Sequence, residues 1–199
     1  MNWQKILSTI LHPVVMPTIG ILTYFIVTAN QVSIREQLYL LFTVFVTTYL
    51  FPMLLLIVLK LTKKIDSFEV STIKERKIPL FVMMCIFLFL GRFFSQFSKY
   101  SDLSYLFFGT LLALIFVYFI FFVKVKTSLH LLSMGSAIGF FVTLQLIYNT
   151  SLLPLIIIFT LLSGFLATAR LDLKAHTPKE VYLGFLLGFS CQILTYYIL

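Results

Sequence analysis

Apolar residues run along this chain in long blocks, and polar residues collect between the blocks. A spanning helix needs about 20 mostly apolar residues. Blocks of that kind cover about 13–28, 38–59, 78–94, 103–123 and 181–199. A charge-free stretch from Thr127 to Ala169 is too long for one span, and Asn149, Thr150, Ser151 and Pro154 divide it into two. The pattern predicts an all-α, polytopic transmembrane helix bundle of six to seven spanning helices, one domain over 1–199. The first block is the weakest, because Pro13 and Pro17 interrupt it. Helices follow from the block length, since a backbone in lipid must satisfy its own hydrogen bonds. Gly135 and Gly139 lie four apart in the fifth span, and Gly184 and Gly188 in the seventh. That spacing lets two helix backbones approach closely.

Composition agrees with the blocks. The chain has 199 residues, 60% hydrophobic and only 11% charged, whereas soluble domains carry about 25% charged residues. Its mean hydropathy is +1.05, and its 23 phenylalanines suit lipid-facing surfaces. Net charge is +8, which in a soluble protein suggests nucleic acid. Here the bases sit between apolar blocks, so membrane lipids and a phosphate-bearing substrate are the expected partners, with no nucleic acid. Cys85 and Cys191 both fall inside apolar blocks and predict neither a disulfide framework nor a cysteine metal site. The first block is long and lacks a small-residue cleavage site, so no cleaved signal peptide is expected.

Seven spans would sort the 15 bases twelve to three between two faces, with Arg35, Arg92 and Lys99 on the poorer face. Three segments of the richer face each stand before a span: 74–79 (KERKIP), 126–130 (KTSLH) and 169–180 (ARLDLKAHTPKE). An even number of spans separates each from the next, so all three share a face. Each also reads as a helix N-terminus. Pro79 suits a first helical position, Thr127 or Ser128 can cap the fifth span, and Thr177-Pro178-Lys179-Glu180 fits a capping box. Helix N-termini favour anions. Three of them, flanked by bases and by His130 and His176, predict a pocket for a phosphate.

At these residues the chain resembles the type-2 phosphatidic acid phosphatase superfamily. The segment Ala169-Arg170-x5-His176-x3-Glu180 is similar to that family's Ser-Arg-x5-His-x3-Asp motif. Thr127-Ser128-Leu129-His130 is similar to its Pro-Ser-Gly-His motif, and a Lys-Ile-Ser-x-His form in bacterial members is closer still. The family's Lys-x6-Arg-Pro motif is not present, and residues 74–79 are a degenerate substitute. The likeness covers about 74–199. It implies a bacterial inner-membrane phosphatase acting on a lipid phosphate or diphosphate, of phosphatidate, prenyl diphosphate or lipid A type. In that reading His176 is the nucleophile that becomes phosphohistidine, His130 the general acid and Glu180 the orienting carboxylate. Arg170, Lys126 and Ser128 hold the phosphoryl group, with Arg76 and Lys77 standing in for the first-motif bases. No metal or other cofactor is implied.

Thr127, Leu129, Ala169 and Glu180 each depart from the family pattern, and Leu129 replaces a glycine that lets backbone approach a phosphate. These departures favour an alternative, a non-catalytic binder or transporter of lipid phosphate on the same fold. Glu180 also has a purely structural reading as the cap residue. The 60–77 charge run reads as a solvated or headgroup-binding loop, and Tyr196 and Tyr197 as an interfacial belt. His12 has no partner in the sequence and takes no role. Seven of the twelve bases belong to the three polar segments, and removing them leaves five against three, so charge does not assign the site's side of the membrane.

Overall fold

The computed structural model describes residues 3–28, 32–70 and 72–199. Those residues form helices α1 (Trp3–Ile10), α2 (Met16–Val27), α3 (Ile34–Phe45), α4 (Phe51–Leu61), α5 (Ile73–Ser95), α6 (Leu103–Ile120), α7 (Leu129–Tyr148), α8 (Leu153–Asp172) and α9 (Pro178–Ile198). No strand occurs among them. Six helical segments are long and apolar enough to cross a membrane. They are Ile34–Leu61, which joins α3 to α4, then α5, α6 with the 3-10 turn that follows it, α7, α8 and α9. The chain is a multi-pass helical membrane protein.

The first apolar block forms only the 12-residue α2, about 18 Å long at 1.5 Å per residue. The expected seventh long span is therefore not made. Val15 at the N-cap has no side-chain hydrogen bond, and the turn through Pro13 shortens the helix. α2 still runs from the site end of the bundle to the other end, where the Tyr24 hydroxyl donates to the Lys99 carbonyl at 3.4 Å. The three polar segments therefore remain on one face.

Every residue from Leu131 to Phe141 is buried, so α7 is the axis of the bundle. Its closest partner is α9. A Cβ on Gly184 would collide with the Ser128 carbonyl, one on Gly188 with the Leu132 carbonyl, and one on Gly135 with the Phe185 carbonyl. The two glycine pairs thus let α7 and α9 touch backbone to backbone, which fixes the relative height of their N-termini. Phe94 and Phe107 stack at 5.3 Å and tie α5 to α6.

α3 and α4 are joined by a π turn, Val46–Leu50. Pro52 explains it. Its ring has no N–H and clashes with the carbonyl four residues earlier, so the helix widens and the Phe51 N–H reaches the Val46 carbonyl. At the face opposite the site, Glu36 accepts from Lys99 Nζ at 2.9 Å and Tyr100 Oη at 2.7 Å, and Tyr148 donates to Asp102 at 2.6 Å. These bonds gather the ends of α3, α5 and α7.

α5 begins at Ile73, not near Pro79 as expected. Thr72 caps it, with Glu75 completing a capping box, and Pro79 lies within the helix. Arg76 and Lys77 are therefore part of the helix instead of preceding it. Ser128 does occupy the N-cap of α7, but its hydroxyl makes no capping bond.

Candidate functional site

Hydrogen bonds draw the three polar segments together. Arg76 Nε donates to the Val70 carbonyl at 2.8 Å, and its Nη1 donates to the Thr127 carbonyl at 3.1 Å. The Ser128 N–H donates to the Glu180 carbonyl at 3.1 Å. The Ser128 carbonyl, at the start of α7, packs against Gly184 of α9. Lys126 Nζ donates to the Ala175 carbonyl at 3.1 Å. α1 closes the group from the N-terminal side, where the Ser8 carbonyl lies 3.1 Å from His130 Nε2.

His176 sits in the loop between α8 and α9 and is 8% exposed. Its Nδ1 lies 2.7 Å from Glu180 Oε2, one helical turn on. The same carboxylate oxygen accepts from the Thr177 N–H at 3.3 Å. Glu180 therefore caps α9 and holds the imidazole at once, joining the two roles that the sequence suggests separately. A carboxylate can only accept, so Nδ1 carries the hydrogen and Nε2 keeps its lone pair. Burial lowers the His176 pKa to about 4, with Arg76, Lys126 and Arg170 acting in the same direction against the Glu180 hydrogen bond. The ring is neutral near pH 7.

A cavity of about 190 Å³ opens beside this ring. One end is polar and holds His12, Glu69, Arg76, His130, Arg170 and His176. The rest is mostly apolar, interrupted by Thr110, Ser133 and Ser136, and reaches Phe87, Leu106, Leu114 and Ala137 between α5, α6 and α7. Arg170 Nε is buried with no hydrogen-bond partner. Neither Arg76 nor Arg170 forms an ion pair with a carboxylate among the described residues. A buried cationic N–H without a partner is costly, and an anion at the polar end would satisfy Arg170 Nε.

The expected site residues therefore divide. His176, His130, Arg170 and Arg76 line the cavity, and Glu180 supports His176 from behind. Lys77 does not join them. It is exposed, and its ammonium lies 5.8 Å from the Phe122 ring, because a residue one position from the buried Arg76 points to another side of α5. Lys126 and Ser128 do not line the cavity either. The Lys126 ammonium is committed to Ala175, and burial is the first cause lowering its pKa, with Arg76 next. The Ser128 hydroxyl is buried without a partner where α7 meets α9.

His12 also joins the site, although nothing in the sequence marks it. It lines the cavity, and its ring meets His130 edge to face at a centroid distance of 5.0 Å. The two lie 118 positions apart in the chain (130 − 12), so no local spacing signals the contact. Among the described residues no group of three or more His, Cys, Asp or Glu side chains is placed to hold a metal ion.

Fold and cavity together describe a multi-pass membrane protein with a cationic, histidine-bearing pocket at one end of its bundle. No family model, curated protein or solved structure matches the chain.

Proposed function

We propose that this protein is a membrane phosphatase for a lipid phosphate or diphosphate, working through a phosphohistidine on His176. The observation that carries the reading is the Glu180–His176 pair beside the two cavity arginines. With Nδ1 held by Glu180, Nε2 is the free nucleophile, and the ring is neutral as attack requires. Arg170 and Arg76 hold the phosphoryl oxygens and stabilise the charge that develops on them. The apolar part of the cavity favours a lipid, because a hydrocarbon chain gains by filling it while the phosphate stays with the bases. His12 and His130 stand at the wall as candidates to protonate the leaving oxygen. The resemblance to the type-2 phosphatidic acid phosphatases supports the same chemistry.

Purified protein is expected to release phosphate from phosphatidate, a prenyl diphosphate or a lipid A-type phosphate without added metal. His176→Ala is expected to lower the rate on the order of 10³-fold or more. Undiminished release by that variant would sink the mechanism. The rival reading, a non-catalytic binder on the same fold, draws on Leu129 at the cavity wall, where the phosphatase motif has glycine. Binding without release, and no labelled phosphohistidine, selects it.

A further inference from the structure

The apolar arm of the cavity has a floor. Counting inward from Arg76 and His130, the last lining residues are Phe87 on α5 and Ala137 on α7. Leu106 lies farthest from the site on α6, which runs the other way. Behind these three the bundle is filled. Phe87 meets Phe107 at a centroid distance of 6.1 Å, and Phe107 stacks on Phe94 at 5.3 Å. Leu106 presses on α2, where a Cβ on Gly20 would lie 2.9 Å from Leu106 Cδ2. Beyond Ala137, α7 continues with the buried Phe140 and Phe141.

Helix rise converts the floor into a length. At 1.5 Å per residue, His130 to Ala137 covers about 10 Å of α7, and Arg76 to Phe87 about 16 Å of α5. An extended hydrocarbon chain advances about 1.25 Å per carbon at ordinary bond lengths and angles. Roughly 8 to 13 carbons therefore fit between the bases and the floor.

The polar residues of the arm do not call for a polar ligand. Thr110 donates to the Leu106 carbonyl at 2.8 Å, Ser133 to the His130 carbonyl at 2.9 Å and Ser136 to the Gly188 carbonyl at 3.4 Å. Each hydroxyl hydrogen is spent, so among the described residues these three offer a ligand no free donor. An ester carbonyl drawn into the arm would lose its water and gain no hydrogen bond. Plain hydrocarbon has nothing to lose there and gains by leaving water.

We propose that the arm is a length-selective site for one hydrocarbon chain, alkyl or prenyl, joined directly to the phosphate or diphosphate and about 8 to 13 carbons long. The proposal rests on the phosphatase reading and narrows its substrate to chain-borne phosphates over glycerol esters. A longer chain meets the aromatic floor. A shorter one leaves space, which forfeits up to about fourfold in binding per missing methylene for a chain arriving from water.

The test is phosphate release from hexyl, octyl, decyl, dodecyl and hexadecyl phosphate in one detergent, with decanoyl lysophosphatidate as the ester. The wild type is expected to work best on decyl or dodecyl phosphate and poorly on hexadecyl phosphate and the ester. Ala137→Leu fills the deep end and is expected to cost at least about tenfold in kcat/KM on dodecyl relative to hexyl phosphate. Dividing variant by wild type at each length cancels partitioning into detergent. Ala137→Val serves if the leucine variant does not fold. Thermal unfolding with the matching alkyl phosphonates, which cannot be hydrolysed, reads binding alone. Hexadecyl phosphate or the ester turned over as fast as dodecyl phosphate, or an unchanged length profile in the Ala137 variant, overturns the proposal and leaves the phosphatase reading intact. No release at any length, with stabilisation still greatest for decyl or dodecyl phosphonate, removes the phosphatase reading and keeps the length-selective site. Neither release nor stabilisation removes both.

Discussion

At His176 one carboxylate serves structure and chemistry together. Glu180 is at the third helical position because a capping box requires it there, and that position is also one turn from His176. Burial gives the pair a pH signature. The unfolded ring takes up its proton near 6.5 and the folded ring near 4. Between those values the unfolded chain binds more protons, so the stability contribution is full above the upper value and is lost as pH falls toward the lower one. Thermal unfolding in detergent at about pH 7 and about pH 4.5 checks this window. The wild type is expected to fall further than His176→Gln, by at least about 2–4 °C, the shift that roughly 1 kcal/mol produces in a chain of this size. An equal fall in both proteins would mean that the ring titrates as if in water.

The element that sets the site's precision is the α7–α9 pair. Gly188 faces the Leu132 carbonyl with no room for a methyl group, while nothing lies within 4 Å of a Cβ at Gly164 on α8. The two glycines therefore predict opposite outcomes for the same substitution. Gly188→Ala is expected to cost about 1–3 kcal/mol through overpacking and to lower phosphate release by shifting α9, which carries Glu180. Gly164→Ala is expected to be neutral or to stabilise by about 0.5–1 kcal/mol, because alanine is the better helix former. Thermal unfolding of the two variants side by side decides it. Equal effects would show that α7 and α9 do not meet backbone to backbone. The close approach is visible in the sequence as two pairs of glycines four apart. The start of α5 is not visible in the same way. Pro79 is a strong local signal, yet the Thr72–Glu75 box lies further upstream and begins the helix sooner. Pro79 then falls in the second turn, where it removes one intrahelical hydrogen bond without ending the helix.

Across the whole molecule, the bundle has one cationic, cavity-bearing end and one stapled end. The polar segments at the starts of α5, α7 and α9 lie at the first, and the Glu36–Lys99 pair and the Asp102–Tyr148 bond at the second. This alternation predicts a labelling pattern in sealed vesicles lacking Cys85 and Cys191. An impermeant thiol reagent is expected to reach single cysteines at exposed Lys124 and Lys174 from one side, and at exposed Lys99 and Ser151 from the other. Labelling of all four from one side would break the topology.

Hydropathy, helix period and capping act between residues close together in the chain. They are enough to establish the helical membrane class, the break between α7 and α8, the capping box at Thr177 and the shared face of the polar segments. Which bases reach the cavity is settled by packing, because neighbours such as Arg76 and Lys77 diverge on a helix and the surrounding helices choose between them. Packing also brings His12 to His130, since that contact depends on α1 and its turn folding back over the start of α7. Local pattern carries no record of such a long-range meeting, and here that meeting completes the pocket.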